Sequence, residues 1–263
     1  MEQAQLTPAE FQRLAKVVYD NTGIHLEDRK IGMLSNRLRK RLRVLGLSSF
    51  EEYEQLVRSE RGFQEEQSHF LSAVTTNETY FFRNEKLWHY FTTDLIEHFV
   101  RTKRKRGRSL RIWSAASSSG EEAYTAAIAL QEHLPEFARW TVTIIGSDIS
   151  DNVLAKASAG TYNDYAVAQM TPGQIRRWFT KTGDSYQLKD TIRKMVRFQP
   201  HNLREPFPNG RFDLVFLRNV LMYFDTPMKE KVIKTVADSL APGGHLIVGD
   251  VDPIRTLRNS VKP

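Results

Sequence analysis

The 263-residue chain contains no cysteine, which excludes disulfide staples, thiolate metal sites, iron–sulfur clusters and any covalent cysteine nucleophile. A reducing compartment suits such a chain. Also missing is any apolar run approaching the roughly 18 residues of a membrane span. The opening residues, Met1-Glu2-Gln3-Ala4-Gln5-Leu6-Thr7-Pro8, lack the basic and apolar regions of a secretion signal. A cytoplasmic location without membrane insertion is therefore expected. What is present suffices for a core: 40% of the residues are hydrophobic and 11% aromatic, so general disorder is excluded and one or two domains are expected.

Thirty-eight lysines and arginines face 31 acidic residues, a formal net charge of +7. Where that charge sits is more informative than its total. Residues 1–70 hold 11 basic and 11 acidic side chains, but they are segregated: Arg29 to Arg43 contains seven bases and no acid, and Glu51 to Glu66 six acids and two bases. A second basic run, Arg101 to Arg108 with Arg111, adds seven positive charges and no acid, equal to the whole excess. It reads as a solvated gatekeeper ahead of a buried strand or as a binding strip. It has none of the interleaved aromatics of a single-strand nucleic-acid site. Methylation at the fifth carbon of cytosine would need the absent cysteine, and the Asn/Asp-Pro-Pro-aromatic motif of amino-group methyltransferases does not occur. No nucleic-acid partner is expected.

Local signals divide the chain. Thr7-Pro8-Ala9-Glu10 is a capping box with proline at the first helical position, predicting a helix to about Asp20 that stops near Gly23. Leu34, Leu38, Leu42 and Leu45 then recur at helical spacing, with Gly46 as C-cap, and Arg37, Arg39, Lys40, Arg41 and Arg43 occupy the other faces. Ser48-Ser49-Phe50-Glu51 reads as another capping box, and a fourth helix is predicted over 64–74. Beyond residue 108, strand-like runs alternate with helices: Leu110 to Ala115, a helix over 121–133, Thr141 to Gly146, a helix from about Asn152, Phe212 to Leu217 and His245 to Gly249. That rhythm implies an α/β domain with a parallel sheet and ligands at the carboxyl ends of its strands. It breaks between 160 and 200, where a capped helix at Thr171-Pro172-Gly173-Gln174 and short polar segments suggest an inserted subdomain.

The turn from Ser114 to Glu122 carries one glycine and two acids where a phosphate loop has several glycines or a lysine. A pyrophosphate would be opposed there. A nucleoside-containing cation fits better, and S-adenosylmethionine has that character. Asp148 ends the second strand, placed to accept both hydroxyls of a ribose or else to cap the next helix. Glu121 likewise reads as a ligand or as a favourable helix-start charge.

Thr75-Thr76-Asn77-Glu78-Thr79-Tyr80-Phe81-Phe82-Arg83 resembles the Thr-Asn-x-Thr-x-Phe-Phe-Arg signature of the CheR family, the chemotaxis receptor glutamate O-methyltransferases. Trp113 to Tyr124 and Arg218 to Asp225 resemble two further segments of that family, and Asn36 to Leu47 its basic N-terminal helix. The resemblance implies an all-helical docking domain over 1–72 and a linker over 73–84 carrying the cofactor and catalytic motif. A Rossmann-like class I S-adenosylmethionine-dependent methyltransferase domain over 85–263 would follow, with its inserted subdomain at about 160–200. Residue by residue, it implies that Asn77, Thr79, Arg83, Glu121, Asp148, Asn202, Leu203, Arg218 and Asn219 line the cofactor site. Arg83, Arg218 and Tyr223 would stand nearest the transferred methyl, with Arg83 and Tyr223 as the catalytic pair. Asn202-Leu203 also follows a strand-like run, Met195 to Gln199, where the adenine should lie.

The resemblance further implies that Arg37, Arg39, Lys40, Arg41 and Arg43 dock the acidic cytoplasmic helical bundle of methyl-accepting receptors, although the same face could pair with Glu51 to Glu66. No metal is implied, because a carboxylate is already a nucleophile at neutral pH and needs no general base. A monomer is expected. Where the family continues Gly-His-Ser-Glu after its fifth strand, this chain reads Gly249-Asp250-Val251-Asp252-Pro253, and a further helix and strands would be expected beyond Pro263. The short Lys181 to Gln187 segment suggests recognition independent of a receptor-tail peptide. The alternative reading is a non-catalytic cofactor-binding signalling or scaffold module of the same fold.

Overall fold

The computed structural model describes residues 5–75, 78–104 and 107–249. Four helices come first: α1 (Pro8–Thr22), α2 (Ile31–Leu45), α3 (Phe50–Arg58) and α4 (Glu60–Val74). The capping box of α1 forms as the sequence predicts, with Thr7 Oγ1 accepting from the Glu10 amide and the Glu10 carboxylate accepting from the Thr7 amide. At α3 the cap falls one residue later than read: the Ser49 hydroxyl accepts from the Glu52 amide, while the Glu52 carboxylate reaches back to the Ser48 amide. Helix α4 starts at Glu60 rather than 64 because Ser59 serves two helices, ending α3 and accepting from the Gly62 amide through its side chain. The apolar stripes of these helices, including Phe11, Leu14, Leu34, Leu38, Tyr53 and Phe70, are buried against one another.

The chain continues through α5 (Glu85–Tyr90), a π-helical turn (Phe91–Leu95) and α6 (Ile96–Lys103) into β1 (Ser109–Ser114), α7 (Glu121–His133), β2 (Thr141–Asp148) and α8 (Asp151–Ala159). The insert follows: β3 (Thr161–Tyr162), α9 (Asp164–Val167), α10 (Pro172–Trp178), β4 (Phe179–Thr182) and β5 (Ser185–Leu188). Then come α11 (Asp190–Arg193), β6 (Val196–Pro200), β7 (Phe212–Leu217), α12 (Thr226–Ala237) and β8 (Leu240–Val248).

Strands β6-β2-β1-β7-β8 form one sheet in that order, every pair parallel. Chain direction away from β1 reverses between β1 and β7, which opens a crevice at the strands' carboxyl ends. Strands β3, β5 and β4 make a separate antiparallel sheet. Phe81, fully buried, packs edge-on to Tyr162 and Phe179 of that small sheet at 4.9 and 5.2 Å. Phe82 packs edge-on to Trp88 at 6.0 Å. The aromatic pair in the Thr75–Arg83 segment is therefore an anchor between subdomains.

The helical bundle and one face of the parallel sheet share a single apolar core, in which Trp113, Phe212, Val215 and Met228 join the residues of α1 to α4. Gly23 lies where the two meet. Its φ is +77°, which favours glycine, and a Cβ there would lie 2.9 Å from Met228 Sδ and 3.1 Å from Arg204 Cδ, so a side chain would be strained and would have to displace one of them. Among the described residues no helix is long and apolar enough to cross a membrane.

Candidate active site

A cleft of about 230 Å³ lies at the carboxyl ends of β1, β2, β6 and β7, closed on its other side by Thr22, Ile24, Leu71 and Thr75 of the helical bundle. At its switch-point end, Arg218 follows β7 and Glu122 lies in the first turn of α7. The guanidinium Nη1 donates to Glu122 Oε2 at 2.8 Å, Nη2 donates to the Arg83 carbonyl at 3.1 Å, and the Ser114 hydroxyl donates to Glu122 Oε1 at 2.7 Å. The Arg218 side chain is only 5% exposed. A buried ion pair of this kind bridges β1 and β7 and depends on both members, since removing one strands the other's charge.

Asp148 sits half-buried at the end of β2 and accepts from the backbone amides of Ser118 at 3.0 Å and Ser150 at 3.1 Å. Burial pushes its pKa upward against these bonds. Ser150 precedes α8 without a side-chain cap bond, so the Asp148 carboxylate takes part of the helix-start role while still facing the cleft. Around it, the hydroxyls of Ser117, Ser118 and Ser150 and His201 Nε2 are buried with no hydrogen-bond partner among the described residues, and all four residues line the cleft. Buried polar groups are normally satisfied. Hydroxyls can donate and accept, and a ring nitrogen can do either, so this cluster beside a carboxylate fits a nucleoside with its ribose hydroxyls and base nitrogens. The His201 ring packs on Trp113 and Phe207 at 5.6 and 5.0 Å, and burial holds its pKa down.

Of the residues the sequence singles out, Thr79, Arg83, Asp148, Asn202, Leu203, Arg218, Asn219 and Tyr223 line the cleft. Asn77 lies outside the described residues. Glu121 is not among the cleft-lining residues: it is buried, with both carboxylate oxygens accepting from the Ser119 hydroxyl at 3.0 and 2.8 Å, and burial pushes its pKa up. The cleft-facing acid is its neighbour Glu122. Successive helix residues point about 100° apart, so only one of the two can face the strand ends. Gly120 sets which one, because its left-handed φ of +93° starts the helix. Sequence reasoning does not single out Ser117, Ser150 or His201 either. Their only signals were a serine-rich turn and positions directly after β2 and β6.

Arg83 is half-buried, donates from Nη1 to the Glu78 carbonyl at 2.8 Å and stands 5.8 Å over the Tyr80 ring. Asn202 Nδ2 donates to the Asn21 carbonyl at 3.0 Å, tying the loop after β6 to the end of α1.

The basic face of α2 divides in two. Arg41 makes two bonds to Glu66 at 2.7 and 2.5 Å, with side-chain exposures of 21% and 4%. Arg37 donates to the carbonyls of Ala73 at 3.2 Å and Thr75 at 2.7 Å. Arg39 is half-buried and bonds Ser35 and Asn36 on its own helix. Lys40 and Arg43 are exposed. Internal pairing thus accounts for Arg41, and Arg37 holds the end of α4 beside the cleft.

Comparison with known proteins gives two family matches. Residues 77–262 match the model described as CheR methyltransferase, SAM binding domain, and residues 9–75 that described as CheR methyltransferase, all-alpha domain. The chain is 35% identical over 238 residues to a probable chemotaxis protein methyltransferase of Rhizobium etli, covering 89% of this chain and 88% of that one. It is 36% identical over 255 residues to the chemotaxis protein methyltransferase of Escherichia coli, covering 94% and 85%. Identity to chemotaxis protein methyltransferase 2 of Vibrio cholerae is 34% over 253 residues, covering 95% and 87%.

Proposed function

The chain belongs to the CheR methyltransferase family, and on that premise we propose that this S-adenosylmethionine-dependent methyltransferase forms glutamate methyl esters on the cytoplasmic helices of chemotaxis receptors. The observation that carries the reading is the cleft itself: a polar, partly unsatisfied nucleoside-type floor around Asp148, with Arg83 and Tyr223 among its lining residues. S-adenosylmethionine supplies a methyl group on a positively charged sulfur. Asp148 and the Ser117, Ser150 and His201 side chains would hold its ribose and base, with Asn202-Leu203 beside the adenine. Glu122 and Arg218, already paired, keep the β1 and β7 walls at fixed separation.

The acceptor glutamate is ionised at neutral pH, so the site supplies alignment and exclusion of water rather than a base. Arg83 and Tyr223 would orient the acceptor carboxylate through hydrogen bonds. On the bundle, the exposed Lys40 and Arg43 are the side chains of α2 best placed to meet an acidic helical surface.

The test is transfer of tritiated methyl from S-adenosylmethionine to purified receptor, followed by release as base-labile methanol. Label on the receptor that leaves as methanol supports the reading; Tyr223→Phe should then cut turnover with cofactor affinity unchanged, and Arg83→Ala should cut turnover at saturating cofactor. If the receptor accepts label from the Escherichia coli relative but none from this chain, the non-catalytic module replaces it.

A further inference from the structure

The segment from Tyr19 to Lys30 belongs to the helical bundle, yet it closes around the loop that carries Tyr223. The Tyr19 hydroxyl donates to Asp225 Oδ2 at 3.0 Å. The His25 amide donates to the Tyr223 carbonyl at 2.7 Å. Ile24 and Phe224 form an antiparallel bridge, and the Lys30 ammonium stands 5.5 Å over the Tyr223 ring. Asp225 is the hub of this arrangement. Its Oδ1 accepts from the Met228 amide at 2.9 Å and caps α12, so one carboxylate joins the short helical turn Leu221–Tyr223, the start of α12 and the last turns of α1.

We propose that Tyr19 is a positioning residue for methyl transfer: through Asp225 it fixes the turn that presents Tyr223 to the acceptor carboxylate. The helical bundle is then part of the catalytic wall as well as a docking module. This inference rests on the assignment of Tyr223 to the acceptor side made above. The apolar junction of Ile24, Phe224 and Met228 is buried and holds the two halves together whether or not the hydroxyl is present. What the hydroxyl adds is directional, a charge-assisted bond aimed at the one side chain that both caps α12 and ends the Tyr223 loop. The raised pKa of Tyr19, caused first by that bond, agrees with a phenol kept protonated as donor.

The experiment uses the full chain as wild type, Tyr19→Phe, Tyr223→Phe and the double variant. It reads receptor methylation kinetics, S-adenosylhomocysteine binding by calorimetry, melting temperature, and hydrogen exchange at the amides of Tyr223 and Phe224. Tyr19→Phe should lower kcat about tenfold, as misplacement of an orienting group does, with receptor KM, S-adenosylhomocysteine affinity and melting close to wild type. In the Tyr223→Phe background it should cost nothing further, because nothing remains to be positioned. The Tyr223 and Phe224 amides should exchange faster. An unchanged kcat, a loss that multiplies in the double variant, or a loss tracking a lowered melting temperature overturns the proposal. If wild type fails to methylate receptor, the functional reading falls by itself, and with it the role in methyl transfer; exchange at those amides then shows separately whether Tyr19 holds the Tyr223 turn, faster exchange upholding that contact and unchanged exchange overturning it.

Discussion

Glu121 and Glu122 are identical in type and adjacent in sequence, yet one is sealed beside Ser119 and the other holds Arg218. Spacing and composition could not separate them. The information lay in Gly120, whose left-handed start sets the phase of α7, and a Cβ there would come within 2.9 Å of Ala157 Cβ and Phe198 Cζ. Glu122→Gln should strand the buried Arg218 charge, lowering stability by roughly 3 kcal/mol and weakening S-adenosylhomocysteine binding at least tenfold. Glu121→Gln should leave binding unchanged and melting equal or higher, since burial already disfavours its ionised form and a glutamine can still bond Ser119. Melting and calorimetry on both variants check the pair of outcomes, and the reverse order would return the cleft role to Glu121.

Elements with caps or strong periodicity were legible from sequence. Helices α1, α7 and α10 and strands β1, β2 and β7 stand where the pattern places them, because their caps and apolar alternation act locally. The stretch from Glu85 to Lys103 was not read as helix. Its π-turn at Phe91–Leu95 breaks the 3.6-residue phase on which such reading depends. Strands β4 and β5 were legible only as an insert, since their exposed, polar residues Thr180 to Ser185 have no alternation to detect.

One pairing of elements, α6 on β8, brings His245 within 4.8 Å of His98 and 5.9 Å of Phe99, ring centroid to centroid. Burial, then the neighbouring His98, holds the His245 pKa below its ordinary 6.5. The folded state therefore resists a proton that the unfolded chain accepts near pH 6.5, and stability that is full above that pH is lost as pH falls through the lower folded value. Denaturation of His245→Phe between pH 7 and 5 should show a shallower acid decline than wild type. A decline of equal slope would assign the acid sensitivity to His201, whose pKa burial also lowers.

At the scale of the molecule, the net charge of +7 is a poor guide and the pairing of charges a better one. Arg104, Arg108 and Arg139 all converge on Glu136, so part of the second basic run is neutralised within the fold. On α2, Arg41 is committed to Glu66 and Arg37 to backbone carbonyls, which leaves Lys40 and Arg43 outward. Lys40→Ala with Arg43→Ala should slow receptor methylation most at low salt, where exposed charges steer encounter, and leave melting unchanged. Arg41→Ala should lower stability by roughly 3 kcal/mol before any effect on docking can be read. Salt titration of the methylation rate alongside melting curves separates them; a double variant with wild-type rates at low salt would remove Lys40 and Arg43 from the docking face.

At Gly23 the backbone is left-handed, and a side chain there would begin 2.9 Å from Met228 Sδ in the other half of the molecule. The two halves are therefore not interchangeable parts. A hybrid joining the helical bundle of one relative to the catalytic half of another would meet along a seam cut for a different partner. To keep its shape, such a graft would have to carry residues 19–30 and 218–228 together from a single parent, though they lie at opposite ends of the chain.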